Sequence, residues 1–180
     1  MRAALALVAT LLLAACQTIP AGRDIDVIYV PTPYEAVDAM LALGEVKAGD
    51  VLYDLGSGDG RIPIEAARRF GARGVGIELS EARVAEARAN SRAAGVDHLV
   101  RFRRQDLFAA DIGEATVVML YLLPELNQRL KPKLRALPPG TRIVSYTWDM
   151  GAWVPEKIVT VAPGVQIYLW RVPEKGVAIP

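Results

Sequence analysis

The chain has 180 residues, of which 52% are hydrophobic and 23% charged, which is typical of a single folded domain with a sizeable core. Arg2 is the only charged residue among the first fifteen, so residues 16–180 carry no net charge, and we expect no nucleic-acid partner. The single cysteine, Cys16, excludes an internal disulfide and a thiolate metal site, and we expect no bound metal.

The first sixteen residues have the pattern of an export signal. Residues 3–15 are small and apolar, too few for a membrane-spanning helix of about 20 residues but suited to a signal-peptide core. Residues 13–16, Leu-Ala-Ala-Cys, resemble the bacterial lipobox, in which the cysteine is acylated and becomes the new N-terminus. We therefore predict a signal peptide at 1–15, a tether at 16–26 and a folded domain at 27–180. The protein would be a membrane-anchored lipoprotein of the bacterial cell envelope, and a cytoplasmic protein is the alternative.

A proline-rich segment opens the folded domain. Tyr29, Pro31, Thr32 and Pro33 belong to it, and the two prolines stiffen the backbone by restricting φ. The segment is either a rigid lead-in or an arm that covers a ligand site. The residues that follow, 34–43, predict a short helix with one apolar side.

A glycine loop follows the first predicted strand. Residues 51–55 read VLYDL, a run expected of a strand covered on both faces. Gly56, Gly58 and Gly60 come next at alternate positions, and residues 62–70 are compatible with a helix. Glycine tolerates positive φ and lets a ligand approach the backbone closely. The loop is either a tight turn or a ligand-binding loop.

Three acidic residues lie at the ends of three successive predicted strands. Asp54 lies beside the loop, where a carboxylate would repel a pyrophosphate but attract an ammonium group. Glu78, in the second strand at 74–79, can accept hydrogen bonds from both hydroxyls of a ribose. Asp106 follows the third strand at 99–103 and is placed to accept from an adenine amino group. Together with the glycines, these acids suit S-adenosylmethionine, which has an amino-acid end, a ribose and an adenine but no phosphate.

These residues resemble the class I methyltransferase family, whose ligand-binding motifs match residues 54–60, Glu78 and Asp106. The resemblance implies that the chain is a methyltransferase with S-adenosylmethionine as its cofactor. The residues it assigns to cofactor binding are Asp54, Gly56, Gly58, Gly60, Glu78 and Asp106.

The second half continues the alternation of helices and strands. We predict a helix at 80–94 and a strand at 117–123, then a helix from Pro124 that Pro132 should bend or interrupt. A strand at 141–147 and a hairpin of residues 156–161 and 165–172 complete the chain. The alternation predicts a Rossmann-like α/β fold, with a mostly parallel sheet, helices on both faces and a C-terminal antiparallel hairpin. Ligands bind at the carboxyl ends of such strands.

The end of the fourth strand is where acceptor-binding residues project in this fold. Residues 120–124, LYLLP, lack the Asn-Pro-Pro-Tyr pattern of enzymes that methylate amino groups of nucleobases or of glutamine. Tyr121 is our candidate acceptor-site residue, and a buried core tyrosine is the alternative. Tyr146, Trp148 and Trp153 either form an aromatic wall around a cation or pack in the core.

Residues 29–33, 54–61 and 120–124 together resemble a narrower family, the small archaeal and mitochondrial protein-lysine methyltransferases. That family includes the enzymes modifying the ATP-synthase c subunit and the adenine nucleotide translocase. The resemblance covers residues 27–172 and implies a protein lysine as acceptor, with the arm flanking cofactor and substrate. An exported enzyme would lie away from the cofactor supply. Methylation of a small molecule or lipid, and a membrane-tethered binding protein on an inactive scaffold, therefore remain alternatives.

Overall fold

The computed structural model describes residues 29–174 and residue 176, so the predicted signal peptide, Cys16 and the tether lie outside the described residues. The helices are α1 Tyr34–Leu43, α2 Arg61–Phe70, α3 Glu81–Ala93 and α4 Pro124–Arg135. The strands are β1 Val51–Leu55, β2 Arg73–Glu78, β3 Val100–Arg104, β4 Val117–Leu120, β5 Arg142–Tyr146, β6 Lys157–Ala162 and β7 Val165–Arg171. No helix in this part of the chain combines the length and apolar character needed to cross a bilayer.

Within the described residues, seven strands form one sheet in the order β3-β2-β1-β4-β5-β7-β6. The first five strands in that order are parallel, and β7 pairs antiparallel with both β5 and β6. This confirms the predicted mostly parallel sheet with a C-terminal antiparallel hairpin. From β1 the next strands along the chain, β2 and β3, are added on one side of the sheet, whereas β4 and β5 are added on the other side. The crevice at the carboxyl ends of β1 and β4 is therefore the expected ligand site.

Helices cover both faces of the sheet. On one face, α1 and α2 bury side chains such as Leu52 and Met119, while α2 and α3 bury Val100 and Phe102. On the other face, α4 and residues 107–115 bury Tyr53 and Leu55. Every residue of β1, β4 and β5 is buried, which explains why these strands show no apolar–polar alternation.

One predicted boundary in the second half is wrong, and one of the two effects predicted for Pro132 does not occur. Strand β4 ends at Leu120 rather than at residue 123, because Leu123 is already the extended N-cap of α4 and Pro124 is its first residue. Pro132 does not interrupt α4, which continues to Arg135. The proline removes one intrahelical hydrogen bond, but the completely buried Leu130 and Leu134 on either side hold the helix against the sheet.

A buried ion pair joins the start of β1 to β5. The Asp50 carboxylate accepts hydrogen bonds from the Arg142 guanidinium, from Thr116 Oγ1 at 2.7 Å and from the Lys47 amide at 2.9 Å. Arg142 also donates to two carbonyls of the turn after α1. Burial alone would raise the pKa of Asp50, but these donors and the arginine charge together hold it below its ordinary value.

Candidate active site

A cavity of about 690 Å³ opens at the carboxyl ends of β1, β2, β3 and β4. The sheet topology brings most of the predicted ligand residues into its lining. Those from the strand ends and the glycine loop are Asp54, Gly56, Gly58, Glu78, Asp106 and Tyr121. The proline arm contributes Tyr29, Pro31 and Thr32. Gly60 and Pro33 do not line the cavity. No group of His, Cys, Asp and Glu within the described chain is arranged to hold a metal ion.

The glycine loop turns its amides toward the protein. Gly56 and Ser57 both donate to the Ile77 carbonyl, at 2.8 and 3.1 Å. Gly58 donates to Glu78 Oε2 at 3.0 Å. Gly56 and Gly58 have φ of 88° and 51°, values that glycine adopts without strain. Because these amides already have acceptors, the loop offers no ready cradle for a pyrophosphate.

The last glycine of the loop serves packing. A Cβ on Gly60 would lie 2.5 Å from the Phe102 ring, so only glycine fits there. The neighbouring Asp59 closes the N-terminus of α2 by accepting from the Arg61 amide at 3.3 Å. Its carboxylate also pairs with the Arg61 guanidinium at 2.6 Å. Burial would raise the pKa of Asp59, but Arg61 holds it below its ordinary value, so the helix end already carries an anion.

Asp54 is the buried acid of the cavity, with 3% of its surface exposed. Burial raises its pKa to about 8, and the negative charges of Glu78 and Asp59 add to the effect. The carboxyl is therefore mostly uncharged at neutral pH in the ligand-free protein. A cationic group beside it would favour the ionised form, as expected for an ammonium-binding acid.

Glu78 is held in place by three backbone amides. Its Oε1 accepts from Leu79 and Ser80, both at 2.8 Å, while its Oε2 accepts from Gly58. A carboxylate has about four lone-pair sites, so Glu78 can still accept a hydrogen bond from a ligand hydroxyl. Its fixed orientation at the end of β2 suits the recognition of a ribose.

Asp106 begins a compact turn that forms the far wall of the cavity. Its Oδ1 accepts from the Phe108 amide at 2.8 Å, and its carbonyl accepts from Ala109 and Ala110. Asp106, Leu107 and Phe108 all line the cavity. An acceptor beside two apolar side chains is suited to a flat, amino-bearing heteroaromatic ring.

The proline arm, residues 29–33, lies over the glycine loop rather than serving only as a lead-in. A Cβ on Gly58 would lie 2.3 Å from Tyr29 Cε2, so the tyrosine ring rests directly on the loop. The Arg83 guanidinium carbon lies 3.9 Å from the centroid of the same ring. Arg61, the first residue of α2, donates to the Thr32 carbonyl at 2.7 Å and so anchors the arm to that helix.

Tyr121 lies at the end of β4, half-buried against the cavity. Its ring packs edge-to-face on Tyr146, with centroids 4.7 Å apart. Of the two alternatives for Tyr146, Trp148 and Trp153, the aromatic wall does not form, and core packing holds for Tyr146 and Trp153. Trp153 is buried in the core against Trp170, and Trp148 is 41% exposed. Trp170 Nε1 donates to the Trp153 carbonyl at 2.7 Å, which holds this part of the chain in the core.

Sequence reasoning missed several residues of the site. Arg83 lies in α3 and Phe108 in the connection after β3, and both reach the cavity only through the fold. Ser57 also lines the cavity, and its buried hydroxyl has no hydrogen-bond partner among the residues described. Among Arg83, Phe108 and Ser57, only Ser57 had a sequence signal, namely its position between two glycines of the loop.

Comparison with known proteins places this geometry in context. The model of the ANTKMT methyltransferase domain matches residues 54–157. A protein-lysine N-methyltransferase of Saccharolobus islandicus is 42% identical over 151 residues, which cover 81% of this chain and 94% of that protein. The adenine nucleotide translocase lysine N-methyltransferase of Mus musculus is 36% identical over 137 residues, covering 75% of this chain and 59% of that protein.

Solved structures show the same fold with a bound ligand. A crystal structure described as an RNA methyltransferase from Salinibacter ruber, in complex with S-adenosyl-L-homocysteine, is 56% identical with a TM-score of 0.80. The match covers 84% of this chain and 97% of that one. A SAM-dependent methyltransferase from Thiobacillus denitrificans, with the same ligand, is 27% identical with a TM-score of 0.57, covering 64% of this chain and 48% of that one.

Proposed function

Because this chain belongs to the ANTKMT methyltransferase domain family and uses S-adenosylmethionine as its cofactor, we propose that it methylates the side-chain amine of a protein lysine. The observation that carries the acceptor class is the 42% identity to the archaeal protein-lysine N-methyltransferase, over 94% of that protein. When bound, the cofactor supplies a methyl group on a positively charged sulfur. The lone pair of an amine can attack the methyl carbon, and the sulfur then leaves with the electrons of the broken S–C bond.

The lining of the cavity supports a distinct role for each of three acids. We assign Asp54 to the ammonium end of the cofactor, because its buried carboxyl gains most from a neighbouring cation. Glu78 is assigned to the ribose hydroxyls and Asp106 to the adenine amino group. The absence of phosphate from this ligand agrees with the amides of Gly56 and Gly58, which are already occupied. Both glycines still let the ligand approach the backbone.

Tyr121 is the residue we assign to the acceptor. A lysine amine has a pKa of about 10.4 in water and must lose its proton before it can react. A poorly solvated channel next to a positive charge favours that loss. Tyr121 lines the cavity at the end of β4 and can orient the amine. The arm at residues 29–33 closes another side, which helps to exclude water.

The surface around the cavity supports a protein acceptor. Val30 and Leu79 line the cavity and are 54% and 48% exposed, and Leu123, two residues beyond Tyr121, is 50% exposed. Exposed apolar side chains grouped at one site are characteristic of protein–protein contacts. The arginines lining the cavity are already neutralised by carboxylates within the chain. These pairs are Arg61–Asp59, Arg83–Glu86 and Arg104–Glu81.

The test is transfer of a labelled methyl group from S-adenosylmethionine to a cell extract by the purified protein. We expect label that is sensitive to protease and resistant to ribonuclease, with methyl-lysine found by mass spectrometry. Glu78→Ala should abolish labelling and weaken cofactor binding. Label in the organic extract would instead indicate a lipid or small-molecule acceptor. No binding of S-adenosylhomocysteine would indicate an inactive scaffold.

RNA is the second candidate acceptor, because the Salinibacter ruber protein is described as an RNA methyltransferase. A groove of about 420 Å³ at the β3 edge also presents Arg88, Arg92, Arg101 and Arg103 beside a single acid, Asp97. Within the described residues, none of these arginines lies within ion-pair distance of a carboxylate. Ribonuclease-sensitive label that Arg101→Glu abolishes would favour RNA. Protease-sensitive label unaffected by Arg101→Glu would favour lysine.

We further propose that the protein is a membrane-anchored lipoprotein, with residues 1–15 removed, Cys16 acylated and residues 16–26 as a tether. The support is the sequence pattern Leu-Ala-Ala-Cys after an apolar run. More than one acyl chain gives stable anchoring, at about 0.8 kcal/mol per buried methylene. Cys16→Ser should move the protein to the soluble fraction and abolish lipid labelling. If Cys16→Ser stays membrane-bound, residues 3–15 are an uncleaved anchor. If the unaltered protein is already soluble and starts downstream of Cys16, the lipoprotein proposal fails and a cytoplasmic enzyme becomes the better account.

A further inference from the structure

One lysine of α4 holds three carbonyls of the cavity wall. Lys133 Nζ donates to the carbonyls of Phe108 at 2.5 Å, Ala110 at 2.7 Å and Leu107 at 3.3 Å. An ammonium group has three N–H donors, so each donor has its own acceptor in the turn that begins at Asp106. Charge-assisted hydrogen bonds of this kind are stronger than neutral ones.

A second cation of the same helix acts on the same wall. The Arg129 guanidinium carbon lies 3.9 Å from the centroid of the Phe108 ring. Arg129 and Lys133 are four residues apart, so they lie on one side of α4. Helix α4 therefore supports the turn in two ways. Lys133 binds backbone carbonyls of the turn, and Arg129 packs on the ring of Phe108.

The turn needs such support because it belongs to no helix or strand. Asp106 is exposed and, with Leu107 and Phe108, lines the cavity directly. Lys133 is not among the residues that line the cavity, so its contacts reach the ligand site through the turn. A small shift of the turn would move the carboxylate and both apolar side chains together.

We infer that Lys133 is a positioning residue for the adenine side of the cofactor site, with Arg129 in a supporting role. This inference rests on the proposed assignment of Asp106 to adenine. Lys133 holds the turn in the geometry that binds the ring, so that little ordering is needed when the ligand arrives. The effect should appear in the binding of any ligand that contains adenosine.

The experiment measures binding of S-adenosylhomocysteine and of adenosine by calorimetry, with thermal unfolding of each variant. Lys133→Met keeps the unbranched stem and removes the three donors. The matched control is Lys131→Met on the same helix, since Lys131 Nζ donates to the Met150 carbonyl at 3.3 Å, away from the turn. Lys133→Arg restores a cation with donors and should rescue binding.

We expect Lys133→Met to weaken binding of both ligands by the same factor, about ten-fold. Lys131→Met should stay within about two-fold and Lys133→Arg within about three-fold of the unaltered protein. Unchanged binding with a lower unfolding temperature would make the role of Lys133 purely structural and overturn the inference. A loss for S-adenosylhomocysteine but not for adenosine would also overturn it. Should Lys133→Met fail to fold, Arg129→Met tests the same wall and should weaken adenosine binding.

The outcome separates this inference from the proposed function. Intact S-adenosylhomocysteine binding without methyl-lysine product would contradict only the acceptor proposal. Failure of the unaltered protein to bind S-adenosylhomocysteine would overturn both.

Discussion

Replacing Asp54 by asparagine should stabilise the ligand-free protein, and the gain should grow as pH rises. Burial, with the charges of Glu78 and Asp59, raises the pKa of Asp54 to about 8. In the unfolded chain an aspartate ionises near a pKa of about 3.9. Between these two values the folded state holds a proton that the unfolded state has released. The free energy of unfolding therefore falls with rising pH in this window and levels off above it.

The size of the effect follows from the single proton. One proton of difference between the two states changes the free energy of unfolding by about 1.4 kcal/mol per pH unit. From pH 5 to pH 7 the unaltered protein should lose up to about 3 kcal/mol through Asp54. Asparagine does not titrate, so the stability difference between Asp54→Asn and the unaltered protein should grow by up to that amount. The same substitution should weaken binding of S-adenosylhomocysteine.

Urea unfolding of both proteins at pH 5, 6, 7 and 8, without cofactor, gives the required differences. The control is Asp50→Asn just before the same strand, because the Thr116, Lys47 and Arg142 donors lower the pKa of Asp50 despite its burial. A lowered pKa contributes stability that is present above the unfolded value and lost as pH falls through the folded value. Asp50→Asn should therefore destabilise the protein by the same amount from pH 8 to pH 5, because this stability is lost only below the unfolded pKa of about 3.9. A gain in unfolding free energy from Asp54→Asn that stays constant or shrinks between pH 5 and pH 8 would refute the argument.

Three further variants, with Gly71→Ala as a control, test the arm and the acceptor site. Gly58→Ala should weaken S-adenosylhomocysteine binding by about ten-fold or more, because its methyl group would lie 2.3 Å from the Tyr29 ring. Gly71→Ala also has positive φ but open space, and should cost only about 1 kcal/mol in urea unfolding. Arg61→Met removes the anchor of the arm and should speed hydrogen exchange at the amides of Tyr29, Val30 and Thr32, which unchanged exchange would contradict. Tyr121→Phe should lower kcat for lysine methylation by about ten-fold while cofactor binding stays within about two-fold; an unchanged kcat would exclude a role for the hydroxyl.

The sequence by itself determined the order of the elements and the edge of the sheet where the site lies. The uninterrupted apolar run of β1 marked a strand buried on both faces, and the glycines marked the loop after it. In a parallel sheet the carboxyl ends of neighbouring strands meet at one edge. Asp54, Glu78 and Asp106 could therefore be placed together without coordinates, and the cavity confirms that they lie together. These inferences succeed because they depend on local pattern and on chain direction.

Only the tertiary structure decided what the side chains do. The Gly58 amide donates a hydrogen bond to Glu78, twenty residues away. Gly60 must be glycine because a side chain there would clash with the Phe102 ring, and not because of a ligand. Trp153 lies in the core and not at the site. Contacts between elements far apart in the chain also set the raised pKa of Asp54. Such contacts likewise pack the proline arm on the glycine loop and place the hydrogen bonds from Lys133 to the cavity wall. Burial, close packing and hydrogen-bond geometry at such contacts depend on the relative placement of whole elements, which local sequence patterns do not encode.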